Sequence, residues 1–310
     1  MSELLTRTFL TALISGGLLA GIPLMFTALG ETISERAGVL NIGLEGMMLV
    51  GAYVGFVGAY YSNSFWLGFL AGIGGGVLAS VFMVVLCVRL GLDQIVVGIA
   101  ITLAGEGITS VLQDAQFGKT YPRLGAPSTL AIPGLSSIPV VGKSLFDQPL
   151  IVYLGLAGVA LTSWVFRKTN AGLNLRAAGE KPEALDSAGV SVIATRSYAA
   201  LATGALAGLG GVHLAIVTGT FQPFFTQGLG FMAIVIAMLG RGRPLAVVAF
   251  SLMFGISLSI ATALQLAGIN VSTDVVNMLP FVAIMVALVA FARRSYLAPA
   301  LAIPYVRGAR

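Results

Sequence analysis

Long apolar runs alternate with short polar punctuation along this chain. Nine of the runs approach the roughly 20 residues that a helix needs to cross a 30 Å hydrocarbon layer. They fall at about 8–30, 39–61, 65–88, 93–112, 149–166, 195–217, 228–240, 244–264 and 275–292. The seventh is short for a full crossing and reads as a half-helix. Two polar gaps stand out. The gap 113–148 carries Pro122, Pro127, Pro133 and Pro139 and reads as an ordered external loop. The gap 167–194 is charged and punctuated by glycine.

Composition fixes the solvent. Of 310 residues 57% are hydrophobic and 9% charged, with mean hydropathy +0.97. Soluble domains carry about 25% charged residues. A chain this poor in charge cannot cover a water-facing surface, so lipid is its main surroundings. The single cysteine, Cys87, lies in an apolar run and excludes a disulfide framework. The N-terminus lacks the pattern of a cleaved secretory leader, so the first run reads as a retained helix. The fold class expected is an all-α polytopic membrane protein of about 8–10 transmembrane helices, forming one domain over 1–310.

Charge sets the expected orientation. One set of alternate loops holds Arg89, Arg167, Lys168, Arg176, Lys181, Arg196, Arg241 and Arg243, and the C-terminal tail adds Arg293, Arg294, Arg307 and Arg310. The opposite loops hold Lys119, Arg123 and Lys143. Basic loops stay in the cytoplasm. That places 167–194 and the C-terminus inside a bacterial inner membrane and, with nine crossings, the N-terminus outside. Arg36 then falls inside and Arg7 outside. The basic residues orient the chain in lipid and do not indicate nucleic acid.

An inverted internal repeat is expected. Gly43-Leu44-Glu45-Gly46-Met47 resembles Gly228-Leu229-Gly230-Phe231-Met232, and Gly17-Leu18-Leu19-Ala20-Gly21 resembles Gly204-Ala205-Leu206-Ala207-Gly208 at nearly the same offset. Halves of about 8–112 and 195–292 then flank a bridging segment, a known transporter plan.

Ionisable and amide groups inside the runs are the candidates for a pathway, because an isolated charge at mid-membrane costs about 2.5–3.5 kcal/mol and normally faces a polar interior. They are Asn41 and Glu45, read as i,i+4 on one helix face, then Glu106, His213, and Gln222 and Gln227 before the short seventh segment. The half-helix is expected to aim its N-terminal amides at the outer mouth, toward a polar substrate. In the 167–194 gap, Pro182 suits a first helical position and Gly189 a stop, with Glu180, Glu183 and Asp186 about the start. This predicts a compact polar knob. A phosphate-binding G-x-x-x-x-G-K-[ST] loop is missing: a near approach, Gly118-Lys119-Thr120, has Gln113 where the first glycine belongs. A single histidine and no activated Ser or Cys argue against an enzyme site, and no cofactor is expected.

The stretches SERAGVLNIGLEGMMLVGAY at 34–53 and NLRAAGEKPEALDSAGVSV at 174–192 resemble the ABC-importer permeases for nucleosides and simple sugars, within the wider group of branched-chain amino acid and ribose permeases. The resemblance covers nearly the whole chain and extends to the Pro304-Tyr305 tail. It implies that Gly179, Glu180, Pro182, Glu183, Ala184, Ala188 and Gly189 form a coupling loop, with Lys181 where many relatives carry Asn. It further implies a separate cytoplasmic ATP-binding subunit, a second and longer homologous permease (a heterodimer), and an external substrate-binding lipoprotein or periplasmic protein that meets the 113–148 loop. The alternative is an ion-coupled secondary transporter or channel working without an ATPase. It would use Glu45, Glu106 and His213 but would not need the knob.

Overall fold

The computed structural model describes residues 7–266, 273–291 and 297–307. In chain order it contains α1 (Arg7–Arg36), α2 (Leu44–Ser62), α3 (Phe65–Met83, continuing as a π-turn through Val84–Arg89) and α4 (Gln94–Phe117). A small assembly outside the spanning helices follows: β1 (Thr129–Ala131), α5 (Val141–Phe146) and β2 (Asp147–Pro149). Next come α6 (Leu150–Lys168), α7 (Asn170–Glu180), α8 (Pro182–Ser187), α9 (Val192–Thr218), α10 (Leu229–Gly240), α11 (Pro244–Leu266) and α12 (Thr273–Phe291). Among the described residues the only sheet is the antiparallel pair of β1 with β2, Leu130 opposite Gln148. The chain is thus an all-α multi-pass membrane protein. Helices α1, α3 with its π-turn, α4, α6 and α9 are long and apolar enough to span, while α10 to α12 contribute shorter apolar stretches.

The first helix runs further than its hydropathy suggests. It continues through Glu31 and Glu35 to a stop at Gly38. Gly38 takes φ +86°, its N–H bonds the Glu35 carbonyl at 3.0 Å, and the Val39 N–H bonds that of Ser34 at 3.0 Å. This pairing closes a helix around a left-handed glycine. The run 39–61 is therefore not one helix: residues 39–43 form a buried non-helical passage, and α2 starts only at Leu44.

Helices approach closely where glycines meet, the packing that lipid-embedded bundles favour. Gly72 and Gly76 of α3 lie against Gly204 and Gly208 of α9, and Gly17 and Gly21 of α1 against Gly255 of α11. Gly46 of α2 meets Gly105 of α4. Helices α1 and α9 pack on each other at the centre and carry the principal buried cluster, with Leu24, Met25, Val212, Ile216 and Ile236.

The bundle has two distinct ends. One gathers the end of α1, the α3–α4 turn, α7–α8, the α10–α11 turn and the tail: Gly242 abuts Arg36, Gly91 faces Pro304, and the Ala300 N–H bonds the Gly179 carbonyl at 2.9 Å. The other gathers the start of α1, the 118–149 assembly and the loop before α10. There the Leu124 N–H bonds the Gly219 carbonyl at 2.7 Å, and Gln148 Nε2 donates to Ser15 Oγ at 3.1 Å. Arg89, Arg176, Arg196, Arg241 and Arg307 belong to the first end, Arg7 and Lys143 to the second. Arg293, Arg294 and Arg310 lie outside the described residues.

Candidate coupling face and membrane pathway

The polar gap between α6 and α9 folds as two helices where one short helix was expected. Helix α7 begins at Thr169, whose hydroxyl accepts from the Gly172 N–H at 3.2 Å. Its glycines and low hydropathy hide it from a hydrophobic reading. Helix α8 starts on Pro182 at its first position, as the sequence indicates. Gly189 ends it at φ +82°, with the Gly189 N–H on the Asp186 carbonyl at 2.9 Å and the Val190 N–H on that of Leu185 at 3.2 Å. A side chain added at Gly189 would meet open space.

The resulting knob has a buried root and a bare crown. Gly179, Pro182 and Leu185 are buried, whereas Glu183, Ala184, Ser187, Ala188 and Gly189 are exposed. Glu180 is half-buried, with Arg176 at 3.9 Å. Asp186 is bound by Arg307 at 3.1 Å, and Tyr305 packs against the small cluster of Ala178, Leu185 and Val192. The C-terminal tail thereby straps the knob.

Arg196, near the start of α9, fastens this assembly and was legible in the sequence only as an orientation charge. It is 3% exposed. Its Nε donates to the Ala37 carbonyl at 3.1 Å, Nη1 to Ile303 at 2.7 Å, and Nη2 to Ala178 at 3.1 Å and Ala300 at 3.3 Å. One guanidinium thus joins the end of α1, the end of α7 and the tail. Gly179 sits so close to Arg36 and Gly38 that any side chain there would strike their backbone. The knob is thus packed and hydrogen-bonded directly onto the end of α1.

Within the membrane, Glu45 is the most fully bonded of the candidate groups. Its Oε1 accepts from Thr226 Oγ1 at 2.5 Å and the Gly228 N–H at 2.8 Å, and its Oε2 from the Gly230 N–H at 2.6 Å. Glu45 itself lies in the first turn of α2, so one carboxylate serves the N-termini of two helices, where the dipoles favour negative charge. The half-helix α10 exists as expected. Its leading amides are occupied by Glu45, however, and are not open to a substrate.

Asn41 and Glu45 do not share a helix face, which corrects the i,i+4 reading. Asn41 stands in the passage before α2, where its Oδ1 accepts from the Gly43 N–H at 3.1 Å and its N–H donates to Glu31 Oε1 at 2.9 Å. His213 is buried in α9 beside the Leu19 backbone. The Leu19 carbonyl loses its helical donor because Pro23, four residues on, has no N–H. Neither ring nitrogen has a partner in hydrogen-bond geometry. Gln222 and Gln227 are exposed in the loop before α10, and Gln227 borders a cavity of about 330 Å³ with Thr218, Phe225 and Phe281. Glu106 stands half-exposed midway along α4. Among the described residues no hydrogen bond joins Glu106 to His213. Among the described residues no group of three metal-ligating side chains converges.

Comparison with known proteins identifies the family. The family model described as "Branched-chain amino acid transport system / permease component" matches residues 13–288. The guanosine ABC transporter permease protein of Bacillus subtilis is 32% identical over 97% of this chain and 98% of its own length. The nucleoside ABC transporter permease protein of Lactococcus lactis is 31% identical over 96% and 98%. A Haloferax volcanii protein, provisionally named a glucose ABC transporter permease, is 35% identical over 80% and 76%. The chain belongs to the branched-chain amino acid transport system permease family: it is a membrane-spanning permease component of an ABC transporter, a transport subunit and not an enzyme.

Proposed function

We propose that this permease imports nucleosides, with simple sugars as the second substrate class, and that its α7–α8 knob is the cytoplasmic handle on which a separate ATP-binding subunit pulls. The substrate reading rests on the names of relatives that align over nearly their full length. The handle reading rests on one observation: a small exposed crown, Glu183 to Gly189, is tied through Arg196 to α1, the central helix of the bundle. In this reading the basic end of the bundle is cytoplasmic, as the positive-inside rule favours. The 118–149 assembly and the α1 start then face outside and receive a binding protein. A second, longer permease completes the pathway.

The inverted repeat belongs to the same proposal. Exchanging α1 with α9 and α3 with α11 turns the α1–α11 glycine contact into the α9–α3 one. Each involves a member of the repeated Gly-x-x-x-Gly pair. The other repeated motif supports it too, since Glu45 of one copy binds Gly228 and Gly230 of the other. Two halves latched at the membrane centre could rock about that point.

The test is ATP-driven uptake of a radiolabelled nucleoside by the reconstituted complex of both permeases, ATPase and binding protein. Glu183→Arg and Gly189→Trp are expected to leave the chain inserted and ATP hydrolysis running while uptake falls about tenfold or more, a coupling loss above about 1.4 kcal/mol. Normal uptake in both variants would remove the handle from the account. Uptake driven by a proton gradient without ATP would favour the ion-coupled alternative.

A further inference from the structure

One side of α4 carries polar groups at helical spacing, and the bundle leaves two of them, Glu106 and Gln113, without side-chain partners among the described residues. Thr102, Glu106, Thr109, Gln113 and Gln116 follow at intervals of four, three, four and three, so they share one face. Three of them need no further partner. Thr102 Oγ1 reaches the Ile42 carbonyl at 3.5 Å. Thr109 Oγ1 bonds the Gly105 carbonyl at 2.7 Å, and Gln116 bridges Tyr53 at 2.6 Å and Tyr61 at 3.1 Å. Glu106 and Gln113 differ. Gln113 is 1% exposed, yet neither its amide nitrogen nor its oxygen has a partner. Glu106 is half-exposed in the middle of a 24-residue spanning helix, and no side-chain hydrogen bond or ion pair reaches it among the described residues.

Lipid is a poor neighbour for either group. A carboxylate facing hydrocarbon at mid-span costs about 2.5–3.5 kcal/mol, and a buried unpaired amide about 1–3 kcal/mol. The two stand about 10 Å apart along the axis at 1.5 Å rise per residue. Residues on the opposite flank of α4, Leu103, Gly107 and Val111, are exposed and apolar, as a lipid or protein contact requires. The row Thr102, Glu106, Thr109 and Gln113 runs beside the α2 contact at Gly46 and Gly105.

We propose that this edge of α4 is a wall of the translocation pathway, with Glu106 accepting hydrogen bonds from the hydroxyl groups of a sugar or ribose ring as it passes, and with Gln113 a buried polar support behind that wall. A carboxylate is acceptor-only. It suits a neutral, hydroxyl-rich solute and gives no purchase to an anion. The wall rests on the importer reading above, and the closing experiment separates the two.

In the complete complex, with Cys87→Ala as background, Glu106→Cys should react with a water-soluble thiol reagent about tenfold faster than Val111→Cys. That comparison reads the wall whether or not uptake is driven by ATP. Uptake is then compared for a nucleoside and its 2′,3′-dideoxy analogue. Glu106→Gln should raise KM for the nucleoside about tenfold and leave the analogue nearly unchanged, because only the former loses hydroxyl contacts. Labelling no faster than at Val111→Cys would place Glu106 against lipid or a partner helix and overturn the proposal. So would an equal loss for both solutes, which marks a general packing defect. If wild-type complex shows no ATP-driven uptake but the thiols label as stated, the importer reading fails and the wall stands.

Discussion

Arg196→Leu is expected to reduce ATP-driven uptake to background while the chain still inserts and the ATPase still turns over. The side chain donates to Ala37, Ala178, Ala300 and Ile303, four carbonyls on three segments distant in sequence. Hydrogen bonds from a charged donor contribute about 1.5–3 kcal/mol each, and carbonyls left unpaired in a buried site add to the loss. Leucine fills much of the volume but supplies no donor. The knob would then lean on its close packing against α1 at Gly179, and the tail on Tyr305, Arg307 and a few backbone bonds. Arg196→Lys should recover only part of the activity, since a point charge cannot span the fork that reaches opposite carbonyls. Uptake and ATP hydrolysis measured side by side check this. Cleavage of the tail by a protease in the Leu variant and not in wild type would show the strap released. Wild-type uptake in Arg196→Leu would mean that the knob transmits nothing through this node.

Glu45→Gln should cost most of the transport activity and several kcal/mol of stability, although the substitution is nearly isosteric. All three groups around the carboxylate are donors: the Thr226 hydroxyl and the Gly228 and Gly230 amides. A glutamine must turn its NH₂ toward one of them, placing donor against donor and leaving a buried N–H unpaired at about 1–3 kcal/mol. It also removes the charge that favours two helix N-termini. Glu45→Asp keeps the charge but is shorter by a methylene, so it should retain some bonds and rank between the two. Thermal unfolding of the purified chain in detergent checks the order wild type, Asp, Gln. A Gln variant as stable as wild type would show that the α10 terminus does not depend on this latch.

Those two residues illustrate what the sequence reveals and what it conceals. Periodic apolar runs locate the spanning helices because lipid demands continuous hydrophobicity, and the ends of α6, α10 and α11 follow within a few residues. Pro182 and Gly189 announce α8 because helix starts and stops have specific backbone chemistry. The passage 39–43 escapes notice because Val39, Leu40 and Ile42 are apolar whether they sit in a helix or in a buried irregular segment. Only tertiary partners, Glu31 for the Asn41 N–H and Gln94 for the Leu40 N–H, allow the backbone to leave the helix there. Arg196 escapes for a related reason: a basic residue at the membrane boundary ordinarily orients a helix, and nothing local says that three distant segments will present carbonyls to it. Glu45 was legible as anomalous, but its partners 181 to 185 residues away were not. Asn41 was legible as a polar group in an apolar run, but its place in a non-helical passage was not, and neither was the small cavity that His213 borders with Trp66 and Phe69.

The most direct test of the account asks which side of the membrane the knob occupies and what covers it. Lys181→Cys or Ala184→Cys, in the Cys87→Ala background, is labelled with a membrane-impermeant maleimide in intact cells and in inside-out vesicles. The account expects labelling only in inside-out vesicles, and less of it when the ATPase subunit is bound than after it has been stripped away. Labelling in intact cells would put the knob beyond the reach of any ATPase, and the coupling mechanism would have to be abandoned.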